Sequence, residues 1–201
     1  MQTSRYRRLA ALGLAAALTT ALSGCGQAPW DGLDAGGTPS ATPTAKATIT
    51  PIVNDLATGS TRHELTAGDA ALTVDYSSSL NMGEWTAEAN KPISFSISAA
   101  LGTDDGQGVY LSKVSIIPAV SGPTGALDAP ATFVDQSSLP TGYVVKAPYS
   151  YGQTFVLPAV DSTATSVTLS FTFELLIQTT PTSSTFAKQT ASDQLTVAIV
   201  P

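Results

Sequence analysis

Cysteine, histidine and charge are all scarce in this chain. Its 201 residues hold one cysteine, one histidine and two tryptophans, and only 12% of positions are charged. A lone cysteine excludes an internal disulfide, a redox pair and a thiolate metal cage. With His63 as the only imidazole, a transition-metal site would lack soft ligands, and no cofactor is expected. A serine or cysteine triad needs a histidine in reach of a nucleophile and an acid that orients it. His63 falls in an expected strand between Arg62 and Glu64, which gives it no such setting. Basic residues are outnumbered 9 to 15 by acids, for a formal charge of -6. Such a surface repels phosphates and anionic head groups, so nucleic acid is not an expected partner. Carboxylates do suit calcium, and Asp104-Asp105-Gly106 lies in a loop. That loop lacks the oxygen-ligand spacing and terminal Glu of an EF-hand, and it reads as a solvated turn, so no metal site is expected.

Long apolar runs are also missing, with one exception. Arg5, Arg7 and Arg8 precede an almost unbroken Leu/Ala/Gly run over residues 9–22. A basic start followed by an apolar stretch too short to span a bilayer is the pattern of a secretory signal. The Arg7-Arg8 pair is a poor match to a twin-arginine signal, and general secretion fits better. The run ends in Leu22-Ser23-Gly24-Cys25. This tetrapeptide resembles the bacterial lipobox, at which a lipoprotein leader is cut just before a cysteine that carries diacylglycerol. The resemblance implies that residues 1–24 are removed and that Cys25 is the lipid attachment site. Two acyl chains, at about 0.8 kcal/mol per buried methylene, are the usual threshold for stable anchoring. Without its three leader arginines the chain has six basic residues against 15 acids, a formal -9, so the lipid alone would hold it to the membrane. The Thr-, Ser-, Ala- and Gly-rich composition is similar to that of surface lipoproteins of high-GC Gram-positive bacteria. An extracytoplasmic, lipid-anchored location on the cell membrane follows as an expectation.

Residues 25–59 read as a flexible linker, with Pro29, Pro39, Pro43 and Pro51 among Gly, Thr and Ala and few apolar residues in any period. Extended, it would hold a domain on the order of several nanometres from the membrane. Residues 49–56, with Ile49, Ile52, Val53 and Leu56, stand apart as a piece able to dock on the domain or form an edge strand.

From residue 60 to 201 the pattern becomes period-two alternation, the mark of half-buried strands. Strands are expected over 60–66 and 70–77, joined by a Gly68-Asp69 turn. An irregular stretch over 78–91 follows, with one helical turn near 84–89. Residues 92–101 alternate Ile93, Phe95, Ile97, Ala99 and Leu101 with small polar residues. The loop from Gly102 to Gln107 predicts a hairpin with the next strand, 108–117. There the apolar phase slips from Val109 and Leu111 to Val114 and Ile116, so a bulge is expected near Ser112-Lys113. Pro118 and Pro123 open a long loop ahead of short elements at 131–134, 142–146 and 152–157. Residues 166–178 form the longest expected strand, central to a sheet, and a loop over 179–191 leads to a last strand at 194–200.

About seven to nine short strands without helical periodicity imply an all-β antiparallel sandwich, whose strand pattern resembles immunoglobulin-like and fibronectin-like domains. Roughly 140 residues bury enough surface to need no disulfide. Such folds bind through loops at the sandwich ends. Tyr143, Tyr149 and Tyr151 bracket one turn and Trp85 lies in an irregular connection, so these four are the candidate ligand-binding residues, suited to stacking on sugars or anchoring a protein. The alternative is that they cap strand edges and the core. The leading expectation is therefore a non-enzymatic lipoprotein whose sandwich binds a protein, cell-wall polymer or small ligand. A structural envelope component without its own ligand is the alternative, and a hydrolase using two facing carboxylates is the third.

Overall fold

The computed structural model describes residues 51–201. The leader, Cys25 and the linker as far as residue 50 lie outside them. The strands are β1 (Ser60–Ala67), β2 (Ala70–Ser77), β3 (Lys91–Leu101), β4 (Val109–Gly122), β5 (Gly125–Leu127), β6 (Phe133–Gln136), β7 (Tyr143–Val144), β8 (Tyr151–Leu157), β9 (Ser166–Gln178) and β10 (Phe186–Ala198). One sheet has the order β1-β2-β3-β8, the other β10-β9-β4-β5, with β6 and β7 also paired to β4. All pairings between these strands are antiparallel. The fold is an all-β sandwich. Its ten strands exceed the expected seven to nine by β5, a three-residue strand inside the long loop expected after Pro118. Among the described residues no helix is long and apolar enough to cross a membrane.

Alternation produces the core. Every second residue turns to one face of a strand, and the rows Leu72-Val74-Tyr76, Ile93-Phe95-Ile97 and Val167-Leu169-Phe171-Phe173-Leu175 are all buried. Each such side chain stabilises the fold by about 1.5–3 kcal/mol on burial. Phe171 ties the layers together, its ring centre 4.9 Å from that of Tyr76 and 6.2 Å from that of Phe95. The expected bulge in β4 is present: its register against β9 shifts between Leu111 and Lys113. The extra residue brings Val114, Ile116 and Val120 back to the buried side.

The expected hairpin of β3 with β4 does not form, because the two strands lie in different sheets. Residues 102–108 are a crossover between layers. They are fastened at one end by Asp69, whose backbone oxygen accepts from Gly102 N–H and whose carboxylate accepts from Thr103 N–H. Lys146 fastens the other end, donating to the Gln107 carbonyl and to Asp104. Crossing here puts β2-β3-β8 in one layer and β10-β9-β4 in the other.

Three boundaries also differ. β4 runs on through Pro118 to Gly122, because Pro118 pairs with Leu169 of β9 and has no partner on its other side, where β6 has stopped and β5 has not begun. A proline is tolerated at such a gap in the ladder. β4, at 14 residues, is therefore longer than β9, and β10 starts at Phe186, within the expected loop. The helical turn is a 3-10 turn at Met82–Glu84, capped by the Asn81 side chain on Gly83 N–H, ahead of the expected 84–89. Of the segment before β1, Leu56 docks: it is wholly buried, and Asp55 bonds both backbone groups of Thr196, while Ile52 and Val53 stay exposed.

Candidate functional site

A two-sheet sandwich has two open sides, where the outermost strands of the sheets face each other and inward side chains meet solvent. On one side β8 faces β6 and β7. Tyr151 of β8 and Tyr143 of β7 both sit in the inward phase, opposite Ile97 and Leu111 respectively. Their rings stack across the gap with centres 3.9 Å apart and planes 7° from parallel. The Tyr151 hydroxyl donates to Asp135 of β6 at 2.6 Å. Burial, then the bonds to Asp135 and Tyr143, push the Tyr151 phenol well above its usual range. Phe133 and Phe155 meet below them at 5.3 Å.

The elements that meet at this seam also carry exposed apolar side chains. Tyr149, in the turn leading into β8, is 64% exposed, and Val134, Leu139, Val144 and Val156 on the neighbouring elements are exposed too. Two of the four candidate residues, Tyr143 and Tyr151, are thus brought into contact, and Tyr149 lies two residues from the stack. Trp85 is not with them. It is wholly buried, its indole N–H donating to the Ser78 hydroxyl at 3.1 Å, so it covers the core and offers no face to a ligand. What the seam offers chemically is an exposed phenol, a half-buried tyrosine pair and aliphatic side chains, a surface for stacking and apolar contact.

The opposite side carries a group of residues that local sequence reasoning missed. His63 of β1 does have an acid partner: its Nδ1 lies 2.7 Å from Oδ2 of Asp193, 130 residues further on in β10. The Tyr76 hydroxyl donates to the same oxygen at 2.8 Å, and burial followed by this bond raises the Tyr76 phenol far above its ordinary pKa. The expectation that His63 lacks an orienting acid is therefore corrected. The third member of a triad is a different matter, since among the described residues no serine or threonine hydroxyl hydrogen-bonds the ring. A signal for Asp193 was present: it occupies the inward phase of Ala191, Leu195 and Val197, where an acid requires a partner.

Other polar groups are already engaged. Asp104, in the loop weighed for calcium, is held by the Lys146 ammonium and by Gly106 N–H, which lower its pKa. Among the described residues no group of three or more His, Cys, Asp and Glu side chains is arranged to hold a metal ion. A shallow hollow lined by residues 57–59 and 78–82 spends its Ser78 hydroxyl on Pro92, Leu80 and Trp85, and its Asn81 side chain on Gly83. Compared with models of known protein families the chain matches none, and compared with curated proteins it finds no significant match.

Proposed function

We propose that this protein is a lipid-anchored extracytoplasmic surface protein, held to the cell membrane through Cys25, whose sandwich binds a protein, wall polymer or small ligand without catalysing a reaction. The observation that carries the anchor is the coincidence of a basic apolar leader with Leu22-Ser23-Gly24-Cys25. The binding part is supported by the seam, where exposed Tyr149 adjoins the stacked Tyr143–Tyr151 pair. An acidic chain, of formal charge -9 without its leader arginines, with an aromatic surface beside Asp135 favours ligands recognised by stacking over anionic ones.

Two measurements test the two halves separately. Cys25→Ser should release the protein into the medium or leave an uncut precursor, and a variant processed and retained normally would overturn the anchor. For the binding half, intact cells carrying the native protein or Tyr149→Ala are crosslinked and the adducts compared by mass spectrometry. Adducts lost in Tyr149→Ala support the seam, and an unchanged set removes it as the binding surface.

A further inference from the structure

Unpaired strand edges invite pairing with another chain, and proteins guard them with charge, proline, bulges or shortness. β1 carries Arg62, His63 and Glu64 on its edge of the first sheet, and β10 carries Lys188 and the inward Asp193 on its edge of the second. β5, β6 and β7 are guarded by having four residues or fewer. β8 has none of these devices. Its seven residues, Tyr-Gly-Gln-Thr-Phe-Val-Leu, contain no charge and no proline, and their register against β3 is unbroken. Gly152, Gln153 and Thr154 are exposed in succession.

The geometry also says which backbone groups are free. The hydroxyls of Ser94 and Thr154 meet at 2.7 Å, the close side-chain approach of a non-hydrogen-bonded antiparallel pair. The Thr154 N–H is instead met by the side-chain carbonyl of its neighbour Gln153, at a long 3.3 Å. The N–H and C=O groups of Gly152, Thr154 and Val156 therefore point away from β3.

We propose that β8 pairs antiparallel with β8 of a second copy about a two-fold axis at Thr154. In that register Thr154 faces Thr154, and Gly152 faces Val156 in both directions. The exposed Val156 side chain of each copy then lies beside a residue with no side chain. Self-complementarity selects the occupant: the same seven residues put Val156 beside Gly152 in both directions, and having no charge they add nothing to the general repulsion between two acidic chains. The pairing is isologous, so it closes at two copies and leaves no further edge of this kind open. It supplies about six backbone hydrogen bonds but spans less than the ~800 Å² per partner of a stable interface, so the dimer is weak. It sets the two tyrosine seams side by side, and it does not depend on the membrane anchor.

The test uses the full chain in a Cys25→Ser background, where Thr154→Cys is the only thiol. Facing Cα atoms about 5.5 Å apart in a hydrogen-bonded pair are within disulfide reach. Under mild oxidation the residue-154 disulfide should form about tenfold faster than that of Ser60→Cys, an exposed control on β1, and adding Val156→Lys should remove the advantage. Sedimentation of the Cys25→Ser chain should show a reversible dimer with Kd on the order of 0.1–1 mM, lost in Val156→Lys. Equal oxidation rates at 154 and 60, indifference to Val156→Lys, or a dimer without the residue-154 crosslink would each overturn the proposal.

Discussion

The two open sides of the sandwich solve one problem with different residues. Each is closed by a tyrosine hydroxyl donating to an aspartate, Tyr76 to Asp193 on the β1/β10 side and Tyr151 to Asp135 on the β8/β6 side. On the first, the tyrosine is wholly buried and the acid also holds His63. On the second, the tyrosine is half-buried, its partner is a second ring, and the surrounding side chains are apolar and exposed. The difference teaches where each side sits in the balance between stability and recognition. Tyr76 has no water to fall back on if Asp193 is removed, whereas the aromatic seam keeps solvent at its rim.

Removing the two acids should separate the sides most widely. Asp193→Ala strands the buried Tyr76 hydroxyl and half-buried His63, for an expected loss of about 2–3 kcal/mol. Asp135→Ala strands only a phenol that water can reach, for about 1 kcal/mol. Urea titrations of the two variants beside the native chain measure both numbers, and equal losses would erase the distinction drawn between the sides.

Alkaline pH sharpens the same comparison. Tyr76 has a folded pKa raised above its ordinary 10.0, by burial first and Asp193 second. Its contribution is fully present below pH 10, and it falls as pH rises further, because the unfolded chain ionises there and the folded one does not. The slope is about 1.4 kcal/mol per pH unit. Tyr151 is raised in the same direction, but its exposure to solvent makes its share smaller. Stability measured from pH 9 to 11.5 should therefore flatten more in Tyr76→Phe than in Tyr151→Phe, and the reverse order would mean that the aromatic seam is the drier one.

How much of this was legible in the sequence depends on whether a feature is local. Alternation at Ile93-Phe95-Ile97 and the phase slip at Ser112-Lys113 identify strands, faces and the bulge, because each is set by neighbours two residues apart. The Tyr143–Tyr151 contact was half legible: sequence placed both tyrosines around one turn, but not in opposite sheets. The β3–β4 crossover was illegible, since its anchors Asp69 and Lys146 come from other connections. So was Lys91, which sits wholly buried with its ammonium on the carbonyls of Thr86, Ala87 and Ala89. Nothing in the irregular stretch before it announces that three loop carbonyls converge. His63 with Asp193 spans 130 residues, legible only once β10 is known to begin before residue 194.

The smallest effect is expected away from both sides, on the outer face of the second sheet. There Glu174 of β9 stands between Lys188 of β10 and Lys113 of β4, with closest N···O separations of 2.5 and 3.6 Å. The Lys188 bond, assisted by Lys113, holds the Glu174 carboxyl below its ordinary 4.5. Its stabilisation is present above pH 4.5 and is lost as pH falls through the lower folded value. Because these groups are solvated, salt screens them, and Glu174→Gln should change stability at neutral pH by no more than about 0.5 kcal/mol. Urea midpoints for Glu174→Gln at pH 7 and pH 3.5, at low and high salt, check this. The native advantage should shrink toward pH 3.5 and in salt. A loss in Glu174→Gln rivalling that of Asp193→Ala would mean that the outer ladder, and not the buried clasp, governs how the two sheets hold together.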